Sequence, residues 1–291
     1  MRSGKQAGVG VSTSQNEQDK TWKLHLERFF FDRAVAVDGK PTLLDHVLVS
    51  AKDPRLAGRE DFHADLIESL LAQLQLDGQS TVLEVGCASG YITCGLAPKV
   101  RSYNGVDLAA SPLEVARRME LPNAEFQQAD AGKLPFAADQ FDAAFAYDVL
   151  SNFPSFEQAI PLLEELLRVV RPGGRIMAGS ITDADQADTF QQHVYDVSAQ
   201  LEEKYGPQPI SPELTSNSWL AGLVRRVVRR LRRLPAPPAV EVGSITNFTF
   251  LKSDFEKFAQ SHECHIAIND VHALNPYMGY RYNVVMTKSD R

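Results

Sequence analysis

The chain has 291 residues, of which 44% are hydrophobic, and its formal net charge at pH 7 is −7. This length fits one large domain with sizeable additions, and the hydrophobic fraction is ordinary for a globular protein with a buried core. The negative net charge argues against a general attraction for nucleic acid. The three cysteines form no Cys-x-x-Cys pair and leave an odd number, which argues against a disulfide framework and a structural zinc site.

The N-terminal residues 1–20 are polar and rich in Gly, Ser, Gln and Asn, so we predict a disordered tail. They contain no apolar stretch of the kind that a secretory signal needs. No apolar run in the chain approaches the roughly 20 residues that span a bilayer. We therefore expect a cytoplasmic protein without a metal site.

A helical pattern of apolar residues begins near Trp22 and continues to about Leu76. We interpret residues 21–76 as an N-terminal helical cap. Its second half contains apolar residues three or four positions apart, which predict an amphipathic helix: Phe62, Leu66, Leu70, Leu71 and Leu74.

Short apolar segments that alternate with helical segments follow from Thr81. The predicted strands are Thr81–Val85, a segment ending at Asp107, Ala124–Gln127, Phe141–Tyr147, Arg175–Ser180, His265–Val271 and Tyr282–Thr287. The predicted helices are a segment ending near Ala97, Pro112–Met119, Phe156–Val170 and Lys252–Gln260. This alternation indicates βαβ units and a buried parallel sheet. We assign the core to residues 77–184 and 241–291, and a helical insertion or lid to residues 185–240.

The sharpest motif is the run VLEVGCASG at residues 82–90. A strand ends in an acid, and small residues then let the backbone turn tightly and approach a ligand at the start of a helix. A dinucleotide-binding loop would need G-x-G-x-x-G. Here those positions hold Gly86, Ala88 and Tyr91, so that motif fails at two places. Taken alone, the run fits either a ligand loop or an ordinary strand–helix turn.

The run resembles the first motif of class I S-adenosylmethionine-dependent methyltransferases, acid-x-Gly-x-Gly-x-Gly. Glu84, Gly86 and Gly90 match it, and Ala88 stands for the middle glycine. The resemblance implies that this loop holds the methionine part of S-adenosylmethionine, which leaves as S-adenosylhomocysteine.

The segments that follow strengthen the resemblance, because they occur in the family's order over residues 81–181. Gly105–Leu108 resembles the second motif, in which an acid, here Asp107, binds both ribose hydroxyls. Ala129–Ala131 resembles the segment beside adenine, with Asp130 accepting from the exocyclic amine. Phe141–Asp148 resembles the fourth strand, whose end faces cofactor and acceptor, and Leu166–Gly174 resembles the helix and turn before the fifth strand.

The resemblance implies a Rossmann-like three-layer α/β sandwich with a mostly parallel seven-stranded sheet, whose last strand is antiparallel, and helical cap elements. The cofactor-binding residues that it implies are Glu84, Gly86, Ala88, Gly90, Asp107, Leu108, Asp130, Ala131 and Tyr147.

Catalysis in such enzymes depends mainly on alignment of the acceptor in line with the methyl group, and a general base helps when the acceptor is a hydroxyl. Our candidates for catalytic residues are Asp148 and His193, with His25, His46 and His63 as further histidines. For any single histidine a structural role is the favoured interpretation. Many relatives have a histidine shortly after the fourth strand, where this chain has Asn152. We expect the acceptor between Asp148, Asn152 and the helical covers.

An arginine-rich segment, Trp219–Leu234, combines an apolar helical face with six arginines: Arg225, Arg226, Arg229, Arg230, Arg232 and Arg233. No acid lies between Glu213 and Glu241. One interpretation is a lid helix with a solvated basic face. The alternatives are contact with an anionic acceptor, an acidic carrier protein or an anionic membrane surface, which would make the protein membrane-peripheral. We expect no nucleic acid partner.

The leading prediction for function is O-methylation of a small-molecule, glycan-linked or lipid-linked acceptor by in-line methyl transfer. The alternatives are an N- or C-methyltransferase of a metabolite, and a cofactor-binding partner or regulatory protein that does not catalyse.

Overall fold

A computed structural model describes residues 29–31, 33–207 and 248–290. The predicted tail and the arginine-rich segment lie outside these residues. The α-helices after residue 40 in the described part are α1 (Leu43–Val49), α2 (Pro54–Ala57), α3 (Glu60–Leu74), α4 (Thr93–Leu96), α5 (Ala110–Arg117), α6 (Phe156–Val169), α7 (Ala187–Tyr205) and α8 (Lys252–Ser261). The strands are β1 (Thr81–Val85), β2 (Ser102–Asp107), β3 (Ala124–Gln128), β4 (Phe141–Tyr147), β5 (Val170–Asp183), β6 (Thr249–Phe250), β7 (His265–Asp270) and β8 (Arg281–Thr287).

Seven strands form a continuous sheet in the order β3-β2-β1-β4-β5-β8-β7, and the two-residue strand β6 pairs with β5 beside this path. The strands from β3 to β5 pair in parallel, whereas β8 runs antiparallel to both β5 and β7. The predicted Rossmann-like sandwich, with its mostly parallel sheet and antiparallel last strand, is confirmed.

Helices cover both faces of the sheet because successive side chains of a strand point to opposite faces. Val82 packs on the face covered by α3 and α4, in one hydrophobic cluster with Leu66 and Leu70. Its neighbour Leu83 packs on the other face, in a cluster with Leu163 of α6 and with residues of α8. The core therefore has two apolar layers, one on each side of the sheet.

Helices α3 and α7, which lie in the predicted cap and the predicted lid, differ in how far they are buried. Helix α3 has its apolar residues on one face, and Leu66, Ile67 and Leu70 are buried against the sheet. It thus forms part of the sandwich itself, although the sequence placed it in the predicted cap. Helix α7, within the predicted lid, has Val197 as its single fully buried residue among those described. No helix within the described ranges is long and apolar enough to cross a bilayer.

The main local difference from the predicted elements lies at the start of β5. The residues Arg171–Gly174 signal a turn in the sequence, but they belong to the strand, which starts at Val170 and pairs irregularly with β4. Gly173 N–H donates to Lys288 O, and Lys288 N–H donates to Gly174 O, at 2.9 and 3.0 Å. These bonds to the end of β8 keep the turn residues in the sheet.

The order of the strands creates a crevice at the C-terminal edge of the sheet. After β1 the chain builds β2 and β3 on one side, and β4 then returns to the other side of β1. In open α/β sheets, ligands bind at such a switch point, outside the carboxyl ends of the strands.

Candidate active site

A cavity of about 440 Å³ lies at this crevice. Eight of the nine predicted cofactor residues line it: Glu84, Gly86, Ala88, Asp107, Leu108, Asp130, Ala131 and Tyr147. The ninth, Gly90, does not. We call this space the cofactor cavity.

The loop between β1 and α4 owes its shape to residues with positive φ. Gly86 has φ +81°, and a Cβ there would collide with the Val149 side chain. Gly90 has φ +94°, and a Cβ there would collide with Met119. Gly90 therefore allows the turn rather than contacting the cavity. Ala88 adopts φ +45°, a left-handed conformation that is uncommon for residues other than glycine.

Glu84 presents a buried carboxyl group to the floor of the cofactor cavity. Its Oε2 accepts hydrogen bonds from Thr93 Oγ1 at 2.8 Å and from Tyr103 Oη at 2.5 Å. Burial raises the pKa of Glu84 to about 7, although both hydrogen bonds act in the opposite direction. Near neutral pH a cation in the cavity would therefore draw Glu84 toward its ionised form.

Asp107 ends β2 and is fixed by the backbone on both sides. Its Oδ2 accepts from Ala88 N–H at 2.8 Å, and its Oδ1 accepts from Ala109 N–H at 2.9 Å. Burial raises the pKa of Asp107, while these hydrogen bonds lower it. Each carboxylate oxygen has a second lone pair, so the pair is suited to accept two neighbouring hydroxyls. Asp130, at the rim, accepts from Gly132 N–H at 3.0 Å.

A second cavity, of about 470 Å³, adjoins the first, and we call it the acceptor cavity. Seven residues line both cavities: Phe30, Ser50, Lys52, Tyr91, Tyr147, Asp148 and Asn152. Its other walls carry Phe62 from α3 and a polar group from the C-terminal part of the chain, which comprises His272, Asn275, Tyr277 and Arg281. This cavity lies beside Asp148 and Asn152, where the acceptor is expected from the sequence.

Known proteins resemble the part of the chain that supplies most of the lining of the cofactor cavity. The methyltransferase domain family matches residues 83–178, which contain the glycine loop, Asp107, Asp130 and Tyr147. The chain carries a class I S-adenosylmethionine-dependent methyltransferase domain. The carboxyl groups of Glu84 and Asp107, both in the lining of the cofactor cavity, have the chemistry to accept an ammonium group and two ribose hydroxyls of that cofactor.

Two curated relatives match the methyltransferase domain. Phthiotriol/phenolphthiotriol dimycocerosates methyltransferase of Mycobacterium leprae is 31% identical over 134 residues, or 44% of this chain and 47% of that protein. Methyltransferase GfsG of Streptomyces halstedii is 34% identical over 122 residues, or 40% of this chain and 43% of that protein. The chain thus spans less than half the length of these relatives.

A solved structure shows that the fold extends beyond the matched segment. Magnesium protoporphyrin IX methyltransferase from Synechocystis, with bound SAH, superposes with a TM-score of 0.53 at 14% identity. The superposition covers 95% of this chain and 100% of that chain. At this identity the likeness concerns the methyltransferase fold alone.

Asp148 lies in the wall between the two cavities, at φ +58° directly after β4. Its carboxylate forms ion pairs with Lys52 and, at 3.2 Å, with Arg281. Burial raises the pKa of Asp148, but these two cations outweigh burial and hold it below its ordinary value. Asp148 is therefore well placed to orient groups at the junction but poorly suited to accept a proton.

His193, the other predicted catalytic residue, is not brought to either cavity. Its Nε2 lies 2.7 Å from Pro276 O, and its ring stacks on Tyr280 with centroids 4.1 Å apart. Both contacts fasten α7 to the segment before β8. His46 and His63 also lie outside both linings, and His25 falls outside the described residues.

Sequence reasoning missed Lys52, Arg281 and the pair formed by His272 and Asp65. His272 Nδ1 lies 2.8 Å from Asp65 Oδ2, across 207 positions of sequence. No motif or periodicity links residues that are so distant. Only the packing of α3 against the segment after β7 brings the two together.

Proposed function

We propose that the protein transfers the methyl group of S-adenosylmethionine to a hydroxyl oxygen of a small-molecule, glycan-linked or lipid-linked acceptor in the acceptor cavity. The observation that carries this proposal is the shared wall of the two cavities. Methyl transfer requires the nucleophile, the methyl carbon and the sulfur in one line. Two adjoining cavities provide separate places for the two reactants on either side of that line.

The described residues supply binding and orientation. The sulfonium of S-adenosylmethionine supplies the electrophilic methyl group, so the chain does not need a covalent intermediate. Asp107 fixes the ribose, and Glu84 contributes negative charge at the methionine end. Lys52, Asp148 and Arg281 form a charged group at the junction, with Lys52 and Asp148 in both walls.

The curated relatives support the reaction class. Both are named as methyltransferases, and one of them is named for phthiotriol/phenolphthiotriol dimycocerosates. Their similarity to this chain is confined to less than half of either sequence. We therefore base the acceptor class on the cavity and keep transfer to nitrogen or carbon, and cofactor binding without catalysis, as alternatives.

A direct test uses the full chain, S-adenosylmethionine with a deuterated methyl group, and a panel of phenols, alcohols, sugars and amines. Mass spectrometry should detect an O-methyl product, and calorimetry should detect binding of S-adenosylhomocysteine but not of NAD. Transfer to an amine or carbon acceptor would instead support the metabolite alternatives. Binding of S-adenosylhomocysteine without transfer to any compound would favour a non-catalytic role. Tight binding of NAD without binding of S-adenosylhomocysteine would reject both methyl transfer and the non-catalytic role.

The variant Asp107→Asn tests the cofactor cavity. Each hydrogen bond to a charged group contributes about 1.5–3 kcal/mol, so one lost ribose contact should weaken binding of S-adenosylhomocysteine by about ten- to a hundredfold. Glu125→Gln removes one exposed carboxylate from β3 and serves as the matched control. Affinity in Asp107→Asn within about twofold of the control would show that Asp107 does not bind the ribose.

A further inference from the structure

The pair formed by His272 and Asp65 has the geometry of an oriented base, and it borders the acceptor cavity. His272 is 3% exposed. Asp65 Oδ2, on α3, accepts from Leu274 N–H at 2.7 Å as well as from the imidazole at 2.8 Å. An ionised carboxylate can only accept hydrogen bonds. The neutral imidazole therefore carries its proton on Nδ1.

The other ring nitrogen, Nε2, therefore carries an unprotonated lone pair, and its only contact among the hydrogen bonds of the described residues is a long one. Asn275 Nδ2 lies 3.5 Å from it, and Asn275 Oδ1 accepts from Tyr277 N–H at 3.0 Å. This second bond turns the amide so that its NH₂ group faces His272. Phe62 contacts the imidazole edge to face, with centroids 4.5 Å apart. A base whose tautomer and plane are fixed by neighbouring groups is the arrangement that proton abstraction requires.

We propose that His272, oriented by Asp65, accepts the proton of a phenolic hydroxyl that is methylated in the acceptor cavity. This inference rests on the proposed methyl transfer. As the bond from the acceptor oxygen to the methyl carbon forms, the bond from that carbon to sulfur breaks and its electron pair remains on sulfur. The acceptor hydroxyl displaces the Asn275 NH₂ group, which lies 3.5 Å from Nε2, and the hydroxyl proton then moves to Nε2. His272 later releases this proton to solvent. Asp65 is a positioning residue that also stabilises the imidazolium.

The walls of the acceptor cavity favour an aromatic acceptor. Four of the rings that line it are Phe62, Tyr91, Tyr147 and Tyr277, and aromatic rings pack well against one another in stacked or edge-to-face contacts. A phenol is also far more acidic than an aliphatic alcohol, so its proton suits an imidazole base better. The positive charges of Lys52 and Arg281 would stabilise the developing phenolate.

Burial keeps His272 in the base form at neutral pH. Burial lowers its pKa below the ordinary 6.5, and the positive charge of Lys52 adds to this effect. The hydrogen bond and charge of Asp65, together with the charge of Asp148, raise the pKa but do not outweigh burial. Arg281 neutralises part of the Asp148 charge. Activity should therefore fall only as pH drops through a value below 6.5.

A purely structural role would also explain the pair, since it ties the segment after β7 to α3. The variant His272→Asn separates the two roles. The asparagine side chain can still donate to Asp65 from about the position of Nδ1, but it cannot take a proton. His265→Asn is the matched control, because His265 is exposed at the start of β7, at the opposite edge of the sheet.

The test uses 4-nitrophenol, whose ionised form absorbs visible light, with the full chain saturated with S-adenosylhomocysteine. In the wild type, bound 4-nitrophenol should ionise at lower pH than free 4-nitrophenol. This shift should be lost in His272→Asn and should remain in the control His265→Asn. Asp65→Asn should reduce the shift. The absence of saturable 4-nitrophenol binding, or an equal shift in His272→Asn, would overturn the proposal.

Turnover gives a second readout. Where 4-nitrophenol is methylated, His272→Asn should lower kcat by about a hundredfold or more, as expected for loss of a general base, with little change in KM. The acid limb of kcat/KM should disappear in His272→Asn and move to lower pH in Asp65→Asn. If the wild type ionises 4-nitrophenol but methylates no acceptor, the result counts against the proposed function. The role of His272 as a proton acceptor is judged separately, from the ionisation of bound 4-nitrophenol.

Discussion

Glu84 and Asp107 are two buried carboxyl groups that accept hydrogen bonds from different kinds of donor. Asp107 is held by two backbone N–H groups, which favour its charge. Glu84 receives only two hydroxyl donors and has a pKa of about 7. The raised pKa means that the folded protein retains a proton that the unfolded chain releases above pH 4.5. This contribution to stability, about 3 kcal/mol, is complete below pH 4.5 and is lost as pH rises through about 7.

The pKa of Glu84 predicts a pH-dependent affinity for the cofactor. The methionine part carries an ammonium group, which favours ionised Glu84, so binding should release a proton. Affinity for S-adenosylhomocysteine should rise about tenfold per pH unit below pH 7 and level off above it. Calorimetry between about pH 5.5 and 8.5 measures this, with Glu84→Gln as the comparison. A wild-type profile as flat as that of Glu84→Gln would contradict the prediction.

At the level of single residues, the sequence predicts the cofactor side better than the acceptor side. Acids and small residues that directly follow strands reveal their position, because the ends of parallel strands meet at one edge of the sheet. This is why Glu84, Asp107 and Asp130 line one cavity. His272 and Asp65 come from segments far apart in sequence, so their pairing depends on tertiary packing.

Among the elements, the loop between β1 and α4 shows how a departure from the family's motif is accommodated. Ala88 stands where the motif has glycine and keeps the left-handed conformation, at φ +45°. A left-handed conformation costs a residue with a Cβ about 1–2 kcal/mol. Replacement by glycine removes this cost, but the greater conformational entropy of glycine stabilises the unfolded chain by about 0.4–1 kcal/mol.

Ala88→Gly and Gly86→Ala should therefore have opposite effects on stability. We expect Ala88→Gly to raise the free energy of unfolding by up to about 1 kcal/mol and to leave affinity for S-adenosylhomocysteine intact. Gly86→Ala should lower the free energy of unfolding by about 1–3 kcal/mol and abolish binding, because its Cβ meets Val149. Urea unfolding measures both. Gly78→Ala, where a Cβ meets no atom within 4 Å, is the control, and equal losses at positions 78 and 86 would refute the argument.

The strands and helices of the core follow closely from the sequence, whereas the covers do not. Predicted and observed bounds coincide for β4, and α6 ends one residue earlier than predicted. Periodicity reveals these elements because each buries a fixed face. The same periodicity cannot tell a cap from a core layer, which is why α3 was assigned to the cap although it packs against the sheet.

On the scale of the whole molecule, the switch between β1 and β4 brings the functional groups together. The cofactor cavity takes many of its residues from the ends of strands, whereas the acceptor cavity adds residues from α3 and from the segment between β7 and β8. The matched family segment stops at residue 178, before β8 and before His272. Similarity to known methyltransferases therefore informs the cofactor cavity, whereas the residues that α3 and the segment after β7 add to the acceptor cavity lie outside the matched segment.

The arginine-rich segment, which lies outside the described residues, is the sequence feature that this arrangement leaves unexplained. Six arginines without an intervening acid repel one another, which favours contact with an anionic surface over a merely solvated face. We expect the full chain to bind vesicles that contain phosphatidylserine more strongly than vesicles of phosphatidylcholine alone. Binding should weaken as salt rises, because exposed charges more than about 10 Å apart are largely screened at 0.1 M.

The variant with Arg225, Arg226, Arg229 and Arg230 replaced by Gln should lose this binding and keep its affinity for S-adenosylhomocysteine. The matched control replaces four exposed cations of the described part by Gln and changes the net charge equally: Lys99, Arg101, Lys204 and Lys257. Because both variants carry the same net charge, a difference between them reports the position of the charges. If both variants sediment with the vesicles equally, the segment is no membrane contact. Unchanged acceptor turnover at every salt concentration would then leave the solvated face of a lid as its role.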